Sequence, residues 1–449
     1  MEINRELSIS LYEQIYEGIK RDILTGRLRS GEKLTSKRRL AEQLGVSLIT
    51  VENAYAQLIA EGYVRSAEKS GYFVQYNGEV IPAERLDAHC GGRAGELPLR
   101  ARETAVRPSG ELPENFPFTV WARLMRSVLL EKGTALLQPV RNGGAEELCS
   151  AISDYLYRAR GFYVPWERVI IGSGTEYLYN LLIQLLGREH SYGTENPGYR
   201  KPAKIYRLNG VRCELIGMDG DGMDVKELEE SGVSVAHISP AHHFPTGIVM
   251  PISRRREIMA WAKNGQERYI IEDDYDSEFR WSGRPLPTMF GMDDGGRVIY
   301  INTFSQTIAP SVRISYMCLP EGLYGRWQER MGFYSCSVPA FEQYTLARFI
   351  SEGYFERHIN RSKKRYRRIR ELVLGLMESF GDSVKVREEN AGLHFTIRTD
   401  EPEVLERCAL CGISVRPLRD YYGGKAPADC EGEYVVGYAG ADEERLTQK

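Results

Sequence analysis

Near the start of the chain, apolar side chains recur at every fourth position, at Leu11, Ile15, Ile19 and Ile23, with Ser10 before them and Gly26 after them. That spacing predicts one amphipathic helix, capped by Ser10 and closed near Gly26. A shorter helix is expected from about Ser36 to Leu44, ended by Gly45, and a third from the capping Ser47 to about Glu61 before Gly62. The turn Gly45-Val46-Ser47 between two short amphipathic helices is a helix-turn-helix signal, which assigns the third helix to a major groove. Two β-rich runs follow, Tyr63-Val64-Arg65-Ser66 and Gly71-Tyr72-Phe73-Val74-Gln75, and are expected to pair as a hairpin. Helices and hairpin together make residues 1–76 a winged-helix head.

From Asn77 to Asn115 periodicity fades into a mixture of Gly, Pro, Arg and Glu, which reads as a linker over residues 77–115. Beyond it the pattern is that of an α/β body spanning residues 116–449. An amphipathic helix is expected on Trp121, Leu124, Met125, Val128 and Leu129, and another over Ala145 to Arg160. Val169-Ile170-Ile171 is a short strand ending in Gly172-Ser173-Gly174-Thr175, and Tyr177, Leu178, Leu181, Leu182 and Leu185 mark the helix after it. Two further apolar runs, Tyr269-Ile270-Ile271 and Val298-Ile299-Tyr300-Ile301, stop abruptly at polar residues. Buried parallel strands end in this way where they deliver side chains to a site. The first delivers Glu272-Asp273-Asp274-Tyr275-Asp276, and the second Asn302-Thr303-Phe304-Ser305-Gln306, with Arg313 shortly after. The basic run from Gly353 to Arg370 reads as the solvated face of a long helix, with Tyr354, Phe355, Ile359, Tyr366 and Ile369 on its buried side. Val384 to Tyr438 alternates short strands with a helix, as a small C-terminal α+β subdomain would.

Composition narrows the classes. With 449 residues, 42% hydrophobic and 27% charged, the chain is expected to be a multidomain globular protein. A net charge of −3 means that any nucleic-acid contact is local. The polar opening Met1-Glu2-Ile3-Asn4-Arg5-Glu6 is no signal peptide, and no apolar run approaches the roughly 18 residues of a membrane span, so a cytoplasmic protein without membrane contact is expected. Cys408 and Cys411, with Cys430 downstream, lack a second CxxC pair and read as core packing, so no metal site is assigned.

The head resembles the GntR family of bacterial regulators, in Gly31-Glu32-Lys33-Leu34, Ser36-Lys37-Arg38, Leu40-Ala41, Leu44-Gly45-Val46-Ser47, Thr50-Val51, Glu61-Gly62-Tyr63 and Ser70-Gly71-Tyr72-Phe73-Val74. The resemblance implies double-stranded DNA as partner. Lys33, Ser36, Lys37, Arg38, Ser47, Leu48, Thr50, Ser70 and Gly71 would form the contact surface, with Arg38 foremost on phosphate. Where the family often carries a basic or polar residue after the cap serine, this chain has Leu48-Ile49, which can touch thymine methyls but cannot read guanine.

The body resembles fold-type I enzymes that use pyridoxal phosphate (PLP). The resemblance assigns the protonated pyridine nitrogen to Asp273, the ring's phenolic oxygen to Tyr275, and the phosphate to Ser305 and Arg313. The turn Gly174-Thr175 would add backbone N–H groups to the phosphate, Tyr199 would lay its ring near the cofactor, and His242 would line the pocket. Position 306, where the family has the lysine that forms the Schiff base, is glutamine, and no lysine occurs between Lys263 and Lys363. A carboxamide supplies neither the nucleophile nor the base of PLP catalysis, so no catalytic residue is assigned. The substrate-carboxylate arginine of the family aligns with Val435, leaving Arg416 or Arg419 to substitute.

Head and body in this order resemble the MocR subfamily of GntR-type regulators. That likeness implies a homodimeric transcription regulator whose body senses PLP, its amine form PMP or an adduct of PLP with an amino compound, without turnover and with non-covalent cofactor. Two other readings are a PLP-dependent aminotransferase with a DNA-binding appendage, and a regulator whose pocket takes a different ligand.

Overall fold

A computed structural model describes residues 10–67, 70–76, 116–281 and 286–447. The linker expected over residues 77–115 lies outside the described residues. The chain divides into two compact units, Met1–Glu103 and Thr104–Lys449.

In the first unit, helices α1 (Leu11–Leu24), α2 (Lys37–Leu44) and α3 (Leu48–Ala60) are followed by strands β1 (Val64–Ala67) and β2 (Gly71–Val74). The two strands pair antiparallel with Val64 opposite Val74. The four-residue apolar rhythm of α1 is spent on the core: Ile15, Ile19 and Ile23 are buried against Val51, Ala54, Tyr55 and Leu58 of α3 and the wing residues Val64 and Val74. Ser36 and Ser47 cap α2 and α3 by accepting the N–H of Arg39 and Thr50. Gly45, at φ 61°, supplies the left-handed residue that ends α2 and makes the tight turn possible. Ser10 stands at the N-cap of α1, but its hydroxyl donates to the Glu13 carboxylate and caps no backbone N–H.

The second unit is built on a mixed sheet of eight strands. In chain order these are β3 (Val169–Gly172), β4 (Tyr192–Asn196), β5 (Cys213–Asp219), β6 (Gly222–Met223), β7 (Val235–Ile238), β8 (Tyr269–Asp273), β9 (Val298–Thr303) and β10 (Ser315–Cys318). Their spatial order is β3-β10-β9-β8-β7-β4-β5-β6. β9, β8, β7, β4 and β5 run parallel, and β10 is antiparallel to both of its neighbours. Side chains alternate across it. Tyr269 and Ile271 of β8 join the helices Thr175–Leu186 and Glu321–Met331 on one face, while Ile270 joins the helix Ile252–Asn264 on the other. Helices Glu146–Arg160 and Ala340–Ser351 cover the β3 end of that second face. With both faces covered, β8 and β9 are apolar along their length and polar at their ends. The helix Phe118–Lys132 buries Leu124 and Val128, but Leu129, expected on its apolar stripe, is 46% exposed.

The helix Tyr354–Glu378 buries Phe355, Ile359, Tyr366 and Ile369 as its spacing predicts. It leads into an antiparallel sheet of β11 (Lys385–Arg387), β12 (His394–Arg398), β13 (Ser414–Pro417) and β14 (Glu433–Gly437), in the order β11-β12-β14-β13. Cys408 and Cys411 are buried in the core under this sheet, and Cys430 is buried as well.

Behind the ends of β8 and β9 lies a buried polar network. Asp274 Oδ2 receives the Arg160 guanidinium at 2.8 Å, the Tyr300 hydroxyl at 2.6 Å and the Ser277 hydroxyl at 2.9 Å. Asn302 donates to the Asp274 backbone carbonyl at 2.8 Å. Removing the carboxylate would leave the Arg160 charge in a desolvated site. Asp274→Ala should therefore lower the unfolding free energy by about 3–5 kcal/mol in urea titrations, and Asp274→Asn should cost less because it keeps an acceptor.

Candidate functional site

The ends of β4, β7, β8 and β9 and the start of the helix Thr175–Leu186 enclose a cleft of about 1070 Å³, including its open mouth. Thr175, Tyr199, Asp273, Tyr275, Ser305, Gln306 and Arg313, drawn from five segments of sequence, all line it. Convergence at the carboxyl edge of a parallel sheet is where such folds place ligands.

Asp273 is the best-braced group in the cleft. Its Oδ2 accepts from the Tyr179 hydroxyl at 2.7 Å, and His237 Nε2 lies 3.5 Å from the same oxygen. His237 Nδ1 is in turn 2.8 Å from the Tyr206 hydroxyl. Burial pushes both tyrosine phenols well above their ordinary range, so they remain protonated. The other carboxylate oxygen, Oδ1, is buried and has no hydrogen-bond partner. An orphan charged acceptor in a ligand-sized cleft calls for a donor.

At the opposite end of the cleft, Gly174 caps the helix Thr175–Leu186 at φ 98° with no side-chain cap, and the positive end of the helix dipole favours an anion there. A Cβ at Gly174 would lie 2.4 Å from the Arg313 guanidinium, so only glycine lets that side chain pack against the turn. Glu176 is 2.5 Å from Lys201 Nζ and 3.9 Å from Arg313, so one carboxylate serves two cations at this end. The Ser305 hydroxyl donates to the Val312 carbonyl at 2.6 Å, which commits its proton to the loop in this conformation.

His242 does not line the cleft as expected. Its Nδ1 is 2.8 Å from Asp276 Oδ2 and 3.4 Å from the Tyr275 hydroxyl, and its ring centroid is 4.3 Å from that of His394. The ring fits there because Gly392 has no side chain: a Cβ would come within 1.8 Å of His242 Cε1. Burial pushes the His242 pKa down to about 3, which keeps it neutral. Neither Arg416 nor Arg419 is among the lining residues; both are exposed, with Arg416 facing Val435 in the β13–β14 register. Val435 packs with Phe244 and Leu418, and Phe244 also lines the cleft.

Several lining residues escaped the sequence reading, among them Glu176, Tyr179, Lys201 and His237. His237 had a signal, as the polar residue within the apolar run Val235-Ala236-His237-Ile238 just before Ser239-Pro240. Lys201 had none. It brings an amine to the cleft from a segment remote from position 306, and its hydrogen bond to Glu176 is among the causes that raise its pKa, so it stands as a cation. Glu195 accepts from the Ser239 N–H at 2.9 Å through Oε2, while Oε1 is buried without a partner.

In the head, Lys33, Arg38, Leu48 and Ser70 are exposed. Ser36 and Ser47 are spent as caps, Thr50 shares a 2.7 Å hydrogen bond with Ser47, and Lys37 is held 2.8 Å from Glu52. Gly71, at φ 110°, opens β2 with its Cα facing Lys33, whose Cε would be 3.1 Å from an added Cβ. Among the described residues no helix is long and apolar enough to cross a membrane.

Comparison with known proteins agrees with both units. Residues 11–74 match the family model for bacterial regulatory proteins of the gntR family, and residues 109–420 match that for aminotransferase class I and II. The uncharacterized HTH-type transcriptional regulator YdeL of Bacillus subtilis is 36% identical, with 99% of this chain and 96% of that protein aligned. The probable rhizopine catabolism regulatory protein MocR of Rhizobium meliloti is 30% identical over 99% of this chain and 93% of its own length. Among solved structures, an archaeal alanine:glyoxylate aminotransferase superposes with a TM-score of 0.65 at 22% identity, covering 75% of this chain and 86% of that one, a likeness of fold.

Glu195 carries a test of this geometry. Burial, the larger effect, pushes its pKa up to about 8, so the native carboxyl stays protonated while the unfolded one ionises near its ordinary 4.5. Its contribution is present in full below the unfolded value and is lost as pH rises towards about 8, at up to ~1.4 kcal/mol per pH unit. Glu195→Gln should remove that loss. Urea midpoints of wild type and variant should diverge across this interval, the variant gaining by about a few kcal/mol at the alkaline end, and a pH-independent difference would refute a protonated Glu195.

Proposed function

As a member of the MocR subfamily of GntR-type proteins, with a winged-helix head and a class I and II aminotransferase body, this chain is a DNA-binding transcription regulator, and we propose that its body is a sensor that binds PLP, PMP or a PLP adduct of an amino compound without turning it over. The observation that carries the reading is the orphan Oδ1 of Asp273 in a cleft that also holds the cations Arg313 and Lys201. A protonated pyridine nitrogen would satisfy Asp273, and a phosphate would be held by Arg313, Lys201 and the turn at Gly174-Thr175. Tyr275 is assigned to the phenolic oxygen and Tyr199 to the ring face. When bound, the cofactor supplies an aldehyde carbon that reacts with primary amines and a ring that withdraws electrons from the product.

This chain's residues hold that group without completing the chemistry. Gln306 can donate or accept a hydrogen bond where the family's lysine would stand, but a carboxamide has no basic nitrogen to attack the aldehyde or to take a proton. Lys201 is engaged by Glu176, which favours its charged form and its use as an anion partner. The lost covalent anchor converts a permanent cofactor into an exchangeable ligand. In this reading the protein is a cytoplasmic homodimer through its body, and its two heads address two half-sites of an operator.

Calorimetry with PLP, PMP and a reduced PLP–amino acid adduct should show reversible binding to the full chain, and Arg313→Ala should abolish it by leaving the phosphate unpaired. Borohydride treatment followed by mass spectrometry should fix no cofactor to the wild-type chain, at position 306 or at Lys201. Gln306→Lys should yield a reducible linkage. Absence of binding, or cofactor fixed to Lys201, would defeat the non-covalent reading.

The head is open to a separate measurement. Arg38→Ala should weaken binding to every duplex alike and reduce the slope of log affinity against log salt by about 1, as loss of a phosphate contact requires. An unchanged salt slope would remove Arg38 from the contact surface.

A further inference from the structure

We infer that the head reads A·T base pairs, through thymine methyl groups and an adenine edge, and makes no guanine contact from its recognition helix. This rests on the head being the DNA-binding module and specifies what that module recognises. α3 turns Val51, Ala54, Tyr55 and Leu58 into the core. The opposite row, Ile49, Asn53, Ala56 and Ala60, follows four- and three-residue steps and is exposed along its length. That row is the one α3 presents to a major groove.

Its chemistry is unusual for a surface that meets nucleic acid. Ile49 is 67% exposed and its neighbour Leu48 39%, Ile49 being the most exposed large apolar side chain among the described residues of the head. The polar groups around them are already committed. Ser47 accepts the Thr50 N–H at 3.2 Å and shares a hydrogen bond with the Thr50 hydroxyl, Glu52 holds Lys37, and the Gln57 amide donates to Glu61 at 2.6 Å. α3 contains no lysine or arginine. Guanine presents two acceptors, O6 and N7, in the major groove, and the arginine or lysine that most often reads them is absent from this helix. Thymine presents a methyl group, which is a partner for Ile49 and Leu48.

Asn53 adds the complementary half. It lies one turn beyond Ile49 on the same row, about 5–6 Å away at Cβ, and a carboxamide can both donate to and accept from the N7 and N6 pair of adenine. Ile49 and Asn53 would thus address neighbouring A·T pairs. The cations lie elsewhere: Arg38 and Arg39 are exposed on α2, and Lys33 and Arg65 flank the wing's Phe73 ring at 5.9 and 5.4 Å. Charge is supplied to the phosphates from α2 and the wing, and α3 is left to sort bases by shape and apolar contact.

The experiment selects random-sequence duplexes with the full-length protein. Enriched sites should carry invariant A·T pairs in each half-site. Remaking them with uracil in place of thymine removes only the methyl, and should weaken binding about fourfold per contacted group. Ile49→Ala should reduce the difference between thymine and uracil without altering the salt dependence, and Ile49→Arg should shift the selected base towards guanine; both substitutions are on the surface and leave the core intact. Enriched sites with an invariant G·C core, or equal affinity for the uracil duplex, would overturn the inference while DNA binding stood. Failure to enrich any sequence would instead count against the DNA-binding reading beneath it.

Discussion

Four carboxylates fall within the five residues Glu272 to Asp276, at the buried end of β8, and all four are at most 8% exposed. Packing that much acidic charge into an apolar interior is possible only if each group is separately satisfied or neutralised. Strand alternation makes the separation. Glu272 is met by the N–H groups of Met289 and Phe290, Asp274 by Arg160 and Tyr300, and Asp273 by Tyr179 and His237 on the other face. Asp276, beyond the strand, meets His242. The partners come from the helices on both sides of the sheet and from the loop after β7, so the surrounding fold is in large part a scaffold for this acidic run. Asp273 and Asp274 each keep one oxygen without a hydrogen-bond partner, and of the two only Asp273 lines the cleft.

The head was legible almost entirely from its spacing, because a helix of four turns with one apolar face has few alternatives and its end residues, Ser36, Gly45 and Ser47, have conformational preferences that show in the letters. The cleft was legible where a site residue stands at or just past the end of a buried strand, as at Asp273, Tyr275 and Ser305, and Arg313 was reached through the family resemblance. What stayed hidden was the second ring of partners. Tyr179 lies in the middle of an otherwise ordinary helix and Lys201 in the first turn of another, and nothing local distinguishes either from a structural residue. His242 was assigned to the cleft for the same reason in reverse. The glycine that draws it away, Gly392, is 150 positions downstream, and the packing of a ring over a missing Cβ is a tertiary fact.

Charge at the two ends of the cleft is arranged differently. Around Asp273 the supports are buried and tied to one another, Tyr206 to His237 by a hydrogen bond and Tyr179 to His237 by ring contact, an arrangement that fixes geometry before any ligand arrives. Around Arg313 the supports are about half exposed, and Glu176 already engages the cations. An incoming anion must compete with that carboxylate, so affinity at this end is a difference between two ion pairings and is sensitive to ionic strength.

Phe244 ties the cleft to the rest of the body. Its ring forms part of the wall and packs with Val435 of the C-terminal sheet and with Leu418 in the turn after β13, with Tyr421 edge-on at 5.2 Å. Close-packed apolar contacts are stiff and transmit displacement instead of absorbing it. A molecule seated against Phe244 therefore pushes on β14 as a piston pushes on a rod, and the antiparallel sheet behind it is the part of the body that feels, mechanically, whether the cleft is full.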